Sequence, residues 1–270
     1  MGQTLSTPVT TLRLVLVDSP HEARRRLQHA ELIDGYLSTC YHDPRNRAAR
    51  REGTYHPNTI STDDHAFFQY QLDQALPRLP LRLRTDLSIV HVISLMPSAE
   101  GGMPHTRPTG LICAPHLRSL TTFSTLVHEL WHVHQRLYQA EWDAIFFRMK
   151  WRPWSGQLPA PLEQARRYNP DTVETPLWIF QDTWVPVPVF DHLSTPHIKE
   201  VTVWFYHVAE HYHIKHVPGE LHHMAPDLPP SAWEHPREMA AYLLSDPATY
   251  QHSILFQHLV QDMGNISISP

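Results

Sequence analysis

Apolar positions recur along this chain with two different spacings. TLRLVLV, residues 11 to 17, alternates and predicts a strand, and the DSP that follows caps a helix over about residues 21 to 37. LSIVHVISL, residues 87 to 95, is rich in β-branched residues and reads as the best strand; LICAP, 111 to 115, is a shorter one. The glycine- and proline-bearing stretch between them is a loop. Helical spacing returns over about 63 to 76, ended by Pro77 and Pro80, and over 120 to 149 with a bend. It returns again over 236 to 244 and 250 to 263.

Other segments read less regularly. Residues 41 to 58 are polar and broken by Pro44, Gly53 and Pro57, so a surface loop is expected, with Arg45, Arg47, Arg50 and Arg51 as a solvated face. Residues 151 to 200 look irregular. Within them WVPVPVF, 184 to 190, carries alternating prolines without N–H donors, which predicts an edge strand or a segment outside any sheet. VTVWFYHV, 201 to 208, suits a strand or the start of a helix. No internal repeat is visible.

The chemistry concentrates in HELWH, residues 128 to 132. On a helix, His128 and His132 are one turn apart and project from one face, a spacing that lets two imidazoles converge on one Zn2+ ion. Glu129 stands beside the first of them, placed to take a proton from a water. In a chain with 22 histidines the five-residue match needs support from context. Leu120, Phe123, Val127, Leu130, Trp131 and Leu137 supply it, because they recur at three- and four-residue steps and make the helix amphipathic.

Catalytic zinc sites take three protein ligands and leave a position for water, so a third ligand is required. The short design with a third histidine close downstream is excluded, since Gln135 and Tyr138 occupy the diagnostic positions. EHPREMAAYLL, residues 234 to 244, offers Glu238 on a helix that Pro236 can open, and the small Ala240 and Ala241 would let it approach the motif helix closely. The alternative is an ordinary helix with an exposed glutamate. Glu234 is the nearest rival ligand but precedes the proline; Glu141 and Asp143 follow the motif too closely to return to the metal unless the helix breaks.

HELWH with a later glutamate in HPREMAAY resembles the gluzincin branch of zinc metallopeptidases. The resemblance implies an α+β, zincin-like fold, with a small mixed sheet packed on the HExxH helix and a mainly helical C-terminal lobe. It implies His128, His132 and Glu238 as ligands, Glu129 as general base, and an edge strand that binds extended peptide. The whole of 1–270 then reads as one metallopeptidase-like domain, with lobes at about 1–145 and 146–270 flanking a cleft.

A peptidase also needs a donor for the oxyanion. Tyr242 is four residues after Glu238 and shares its face; Tyr206, His207, Tyr212, His213, His222 and His223 are rivals from elsewhere. His105 borders the expected cleft but reads as structural or surface, His134 as a core or supporting histidine, and His116 as the end of a strand. Trp131, Trp142, Trp151 and Trp154 could shape a pocket, although core packing explains them more simply.

Composition narrows the partners. A formal net charge of -5 gives no basic surface for nucleic acid, so a peptide or protein substrate is expected. Cys40 and Cys113 are too few for a disulfide framework, and no apolar run suits a secretory or membrane-spanning segment, which predicts a cytoplasmic protein. MGQTLS matches a myristoylation pattern at Gly2 and would allow weak membrane association. The competing functional readings are a zinc protein without catalysis, a histidine-rich scaffold without metal, and a metal-dependent hydrolase of an amide or ester other than a peptide.

Overall fold

The computed structural model describes residues 12–50 and 54–264; Gly2 with its acylation pattern, and Arg51 and Gly53, lie outside the described residues. Four strands, β1 (Arg13–Leu16), β2 (Ile89–Ser94), β3 (His105–Arg107) and β4 (Leu111–Ala114), form a sheet in the order β1-β2-β4-β3. β1, β2 and β4 are parallel, and β3 returns antiparallel to β4 as the edge. A second, antiparallel sheet runs β5 (Trp151–Pro153), β6 (Trp178–Phe180), β7 (Trp184–Phe190), β8 (Val201–His207) and β9 (Tyr212–Ile214) in that order.

The helices of the first half are α1 (Pro20–Asp34), α2 (Tyr36–His42), α3 (Pro44–Arg50), α4 (Thr62–Ala75) and α5 (Leu81–Asp86). α6 (Phe123–Leu137) carries the motif, and α7 (Gln139–Arg148) continues after a break at Tyr138, where the bend was expected. α8 (Ala160–Ala165) precedes β6, and α9 (Gly219–Met224), α10 (Pro236–Ser245), α11 (Pro247–Tyr250) and α12 (Ile254–Met263) make the C-terminal region largely helical. The architecture is mixed α+β, as the sequence predicts.

Local chemistry explains the helix ends near the site. Ser19 caps α1 by accepting from the Glu22 N–H, Pro20 opens the helix, and Gly35 closes it at a left-handed φ of 58°. His235 caps α10 and Pro236 occupies its first turn, as residue 236 alone suggested. α6 is buried from Leu126 to Gln135 except at His128, where it meets the cleft. On one side Val127, Leu130 and Trp131 join the main core with Val90, Val92 and Ile112 of the first sheet. On the other it packs along α10, where Ala240 and Ala241 are fully buried.

Several segments differ from the sequence reading: β3 lies inside the expected loop between β2 and β4, and β5, α8 and β6 lie inside the stretch read as irregular. Two further departures have a clear physical reason. The expected loop over 41 to 58 contains α3, and Arg50, expected on a solvated face, is buried. A buried guanidinium costs several kcal/mol, of order, unless its donors are met. Here Arg50 Nε donates to Tyr36 Oη (2.8 Å) and Glu100 Oε1 (3.2 Å), and Nη2 donates to the Tyr168 carbonyl (2.5 Å).

The second departure is WVPVPVF, which is β7 in the middle of the second sheet, buried throughout and paired along its whole length with β8. Its prolines are tolerated because β6 pairs with it only at Trp184. Beyond that point the flank of β7 facing away from β8 meets residues 166 to 168, which need an acceptor: the Pro188 carbonyl receives the Arg167 N–H at 2.8 Å. VTVWFYHV is a strand, β8.

Candidate metal centre

Helical spacing places the two motif histidines as expected. His128 Nε2 and His132 Nε2 lie 3.0 Å apart, and each lies 3.3 Å from Oε2 of Glu238. A tetrahedral zinc ion with bonds of about 2.0–2.1 Å sets its donor atoms roughly 3.3–3.4 Å apart, so this triangle has the size and the donor chemistry of a zinc site. Among the described residues it is the one such cluster of three or more His, Cys, Asp or Glu side chains. The arrangement matches an HExxH zinc site completed by a downstream glutamate, and Glu238, far from being exposed, is buried.

The rings are held in the orientation a ligand needs. Gln135 Oε1 pairs with His132 Nδ1 at 2.8 Å, which leaves Nε2 facing the site, and Gln135 Nε2 donates to the Arg237 carbonyl at 3.0 Å. One side chain thus orients a ligand on α6 and ties α6 to the backbone beside Glu238. His128 packs edge-on against Tyr242, with ring centroids 4.8 Å apart.

The electrostatics of the pocket favour a cation. Burial would lower the His132 pKa, but the Glu238 and Asp171 carboxylates outweigh it and push it up to about 10. Glu238 in turn is held well below the usual carboxylate range: burial acts to raise it, and His132 and His128 overcome that effect. Glu129 is shifted the other way, pushed up by burial first and then by the negative charges of Asp171 and Glu238. Its Oε2 is buried with no hydrogen-bond partner.

The cluster sits in a cleft of about 690 Å³. Its lining includes Met103, Pro104, Ile198, Val201, Ser231, Tyr242 and Tyr250. Of the seven residues considered as oxyanion donors, only Tyr242 lines it. Tyr206 is buried with its hydroxyl on His211 Nδ1, and His207, Tyr212 and His213 stand around the β8–β9 turn. Tyr242 has its pKa raised by burial and then by Glu238, so its hydroxyl stays a proton donor.

His105, His134 and the tryptophans have partners elsewhere in the fold. His105 lines the cleft, but its Nε2 meets Tyr55 Oη at 2.7 Å and its Nδ1 the Met103 carbonyl at 3.2 Å. His134 is a core residue between Asp86 and Trp142. Trp131, Trp142 and Trp151 are buried in the main core, and Trp154 packs on the second sheet.

The resemblance implied peptide binding along the edge strand, and β3 does not present such an edge. The Thr106 N–H donates to Asp171 Oδ1 (2.6 Å), its carbonyl accepts from Arg136 Nη2 (3.4 Å), and Pro104 has no N–H. The main-chain groups a bound strand would use are therefore largely satisfied within the chain.

Glu234 stands outside the triad of converging ligand atoms. It accepts from Arg167 and Asn169, and Asn169 also reaches Glu238. Asn169, Arg167 and Asp171 come from a stretch whose sequence gave only one signal, an Asn-Pro-Asp turn in which Asn169 caps the Asp171 N–H. Comparison with known proteins finds no matching family model, no matching curated protein and no matching solved structure. The peptidase likeness therefore rests on the site, whose His/His/Glu triad is consistent with a catalytic zinc peptidase and not with a purely structural scaffold.

Proposed function

We propose that the protein is a zinc-dependent peptidase in which Glu129 is the general base and Tyr242 donates to the oxyanion. The observation that carries the reading is the convergence of three ligand atoms, His128 Nε2, His132 Nε2 and Glu238 Oε2, in a cleft that Glu129 also lines. Zinc held by these residues would polarise the scissile carbonyl and acidify a water. Glu129, whose buried carboxylate has an oxygen free to accept, would take the proton of the attacking water and return it to the leaving amine. Tyr242, kept protonated by burial, would donate its hydroxyl to the negative oxygen that develops on the carbonyl carbon.

The substrate class that fits a peptidase site is a peptide or protein. With the β3 edge largely satisfied, recognition would depend on side chains of the cleft walls more than on added β-pairing. The cleft draws its lining from both halves of the chain, residues 100 to 129 and 167 to 250, which supports one domain with two lobes around the site. Among the described residues no helix is long and apolar enough to cross a membrane, and a cytoplasmic setting, with Gly2 as an optional weak anchor, is part of the same proposal.

The test is Glu129→Gln. We expect it to keep stoichiometric zinc and to lose hydrolysis of a mixed peptide library by about 10²–10⁴-fold. Hydrolysis by E129Q at a rate near that of the unaltered protein would overturn the assignment of the base and with it the reading.

A further inference from the structure

The two oxygens of Glu238 have different surroundings. Oε2 faces the histidine nitrogens, while Oε1 accepts from Asn169 Nδ2 at 2.8 Å. The same Asn169 nitrogen donates to Glu234 Oε1, and Glu234 Oε2 accepts from Arg167 Nη2. The orientation of the amide follows from its other end: Asn169 Oδ1 accepts the Asp171 N–H at 2.9 Å, so the nitrogen must face the carboxylates.

The backbone leading to Asn169 is itself held from the first half of the chain. Asn46 Nδ2 donates to the Arg166 carbonyl at 2.8 Å, Asn46 Oδ1 accepts the Tyr168 N–H at 2.9 Å, and Arg50 donates to the Tyr168 carbonyl. Asn169 therefore sits on a fixed mount between two buried acids. Removing its donor would leave those acids facing each other without a shared hydrogen bond.

We propose that Asn169, anchored through Glu234 and Arg167, is a positioning residue that makes Glu238 a one-oxygen metal ligand and keeps Glu234 off the metal. A carboxylate with both oxygens free can bind through both, and a second carboxylate nearby can add a further bond. Either would fill the position that a catalytic zinc site leaves open. By occupying Oε1 and Glu234 together, Asn169 blocks both outcomes. The proposal rests on the zinc-peptidase reading.

The experiment uses the full chain loaded with Co2+ in place of zinc, with Asn169→Ser as the variant. Serine keeps an acceptor for the Asp171 N–H and removes the amide donor. Where N169S does not fold, Asn169→Thr, which also keeps a capping oxygen and lacks the amide donor, replaces it. Visible absorption reports coordination number, and competition with a chelator reports affinity. We expect an intense four-coordinate spectrum from the unaltered protein, a weaker five-coordinate spectrum from the variant, and a zinc affinity lower by about 10–100-fold.

An unchanged spectrum and affinity in a folded variant would overturn the role of Asn169 and leave the peptidase reading standing. The same holds if only thermal stability falls. Failure of the unaltered protein to bind Co2+ or zinc stoichiometrically would overturn both.

Discussion

Two histidine-rich regions of this molecule reach opposite ends. In α6 the spacing of four residues matches the helical period, so His128 and His132 meet nitrogen to nitrogen at 3.0 Å against a buried glutamate. In β8, β9 and the turn between them the histidines are denser, yet they disperse. His207 stacks on Tyr212, His211 takes a hydrogen bond with the Tyr206 hydroxyl, and His213 stacks on Trp204. Histidine density alone therefore does not make a metal site; a spacing that fits its element, with a carboxylate delivered from a distant helix, does.

The most severe way to break this comparison is to remove one histidine from each region. His132→Ala should abolish stoichiometric zinc in elemental analysis and hydrolysis with it, whereas His213→Ala should leave both unchanged. Zinc loss on H213A, or its retention on H132A, would erase the distinction. A smaller effect is expected at the edge of the site: Tyr242→Phe should keep zinc and lower kcat by about 10²–10³-fold if its hydroxyl meets the oxyanion. An unchanged kcat in Y242F, whose ring still packs edge-on against His128, would assign Tyr242 to packing alone.

The smallest effect concerns a histidine with a third fate. His235 is buried and neutral, with Nε2 donating to the Thr175 carbonyl and Nδ1 accepting the Arg237 N–H as the cap of α10. Burial first, and then the positive Arg237, push its pKa down to about 3. Above the unfolded value of about 6.5 neither state binds a proton and the residue costs nothing. As pH falls from there towards the folded value, the unfolded state binds the extra proton, and stability drops by up to about 1.4 kcal/mol per pH unit. His235→Asn keeps a capping side chain without the titration. Denaturant unfolding between pH 7 and pH 4.5 should show a shallower loss in H235N than in the unaltered protein; equal slopes would mean that His235 charges freely when folded.

Legibility of the sequence tracks the distance over which each element is decided. α6 and α10 could be read because their periods, Pro236 and the paired alanines are local signals, and the metal triad followed from them. Glu129 was visible from its neighbour in HELWH. Gln135 in the sequence marks only the absence of a short three-histidine design, although it orients His132. α3 and β7 are not legible locally because what decides them is remote: Glu100 and Tyr168 pair Arg50, and an acceptor demand from residues 166 to 168 accommodates the prolines. Asn169 left no trace beyond a turn, since its function depends on acids that follow it far along the chain.

The clamp that α3 places on residues 166 to 168 carries a consequence for genetics. Neither Asn46 nor Arg50 lines the cleft, although Arg50 pairs with Glu100 of its wall, yet they hold the mount on which the third ligand's partner is fixed. A random screen for dead variants would therefore recover lesions in the N-terminal helices that look like metal-loss alleles, and mapping by proximity to HELWH would overlook them.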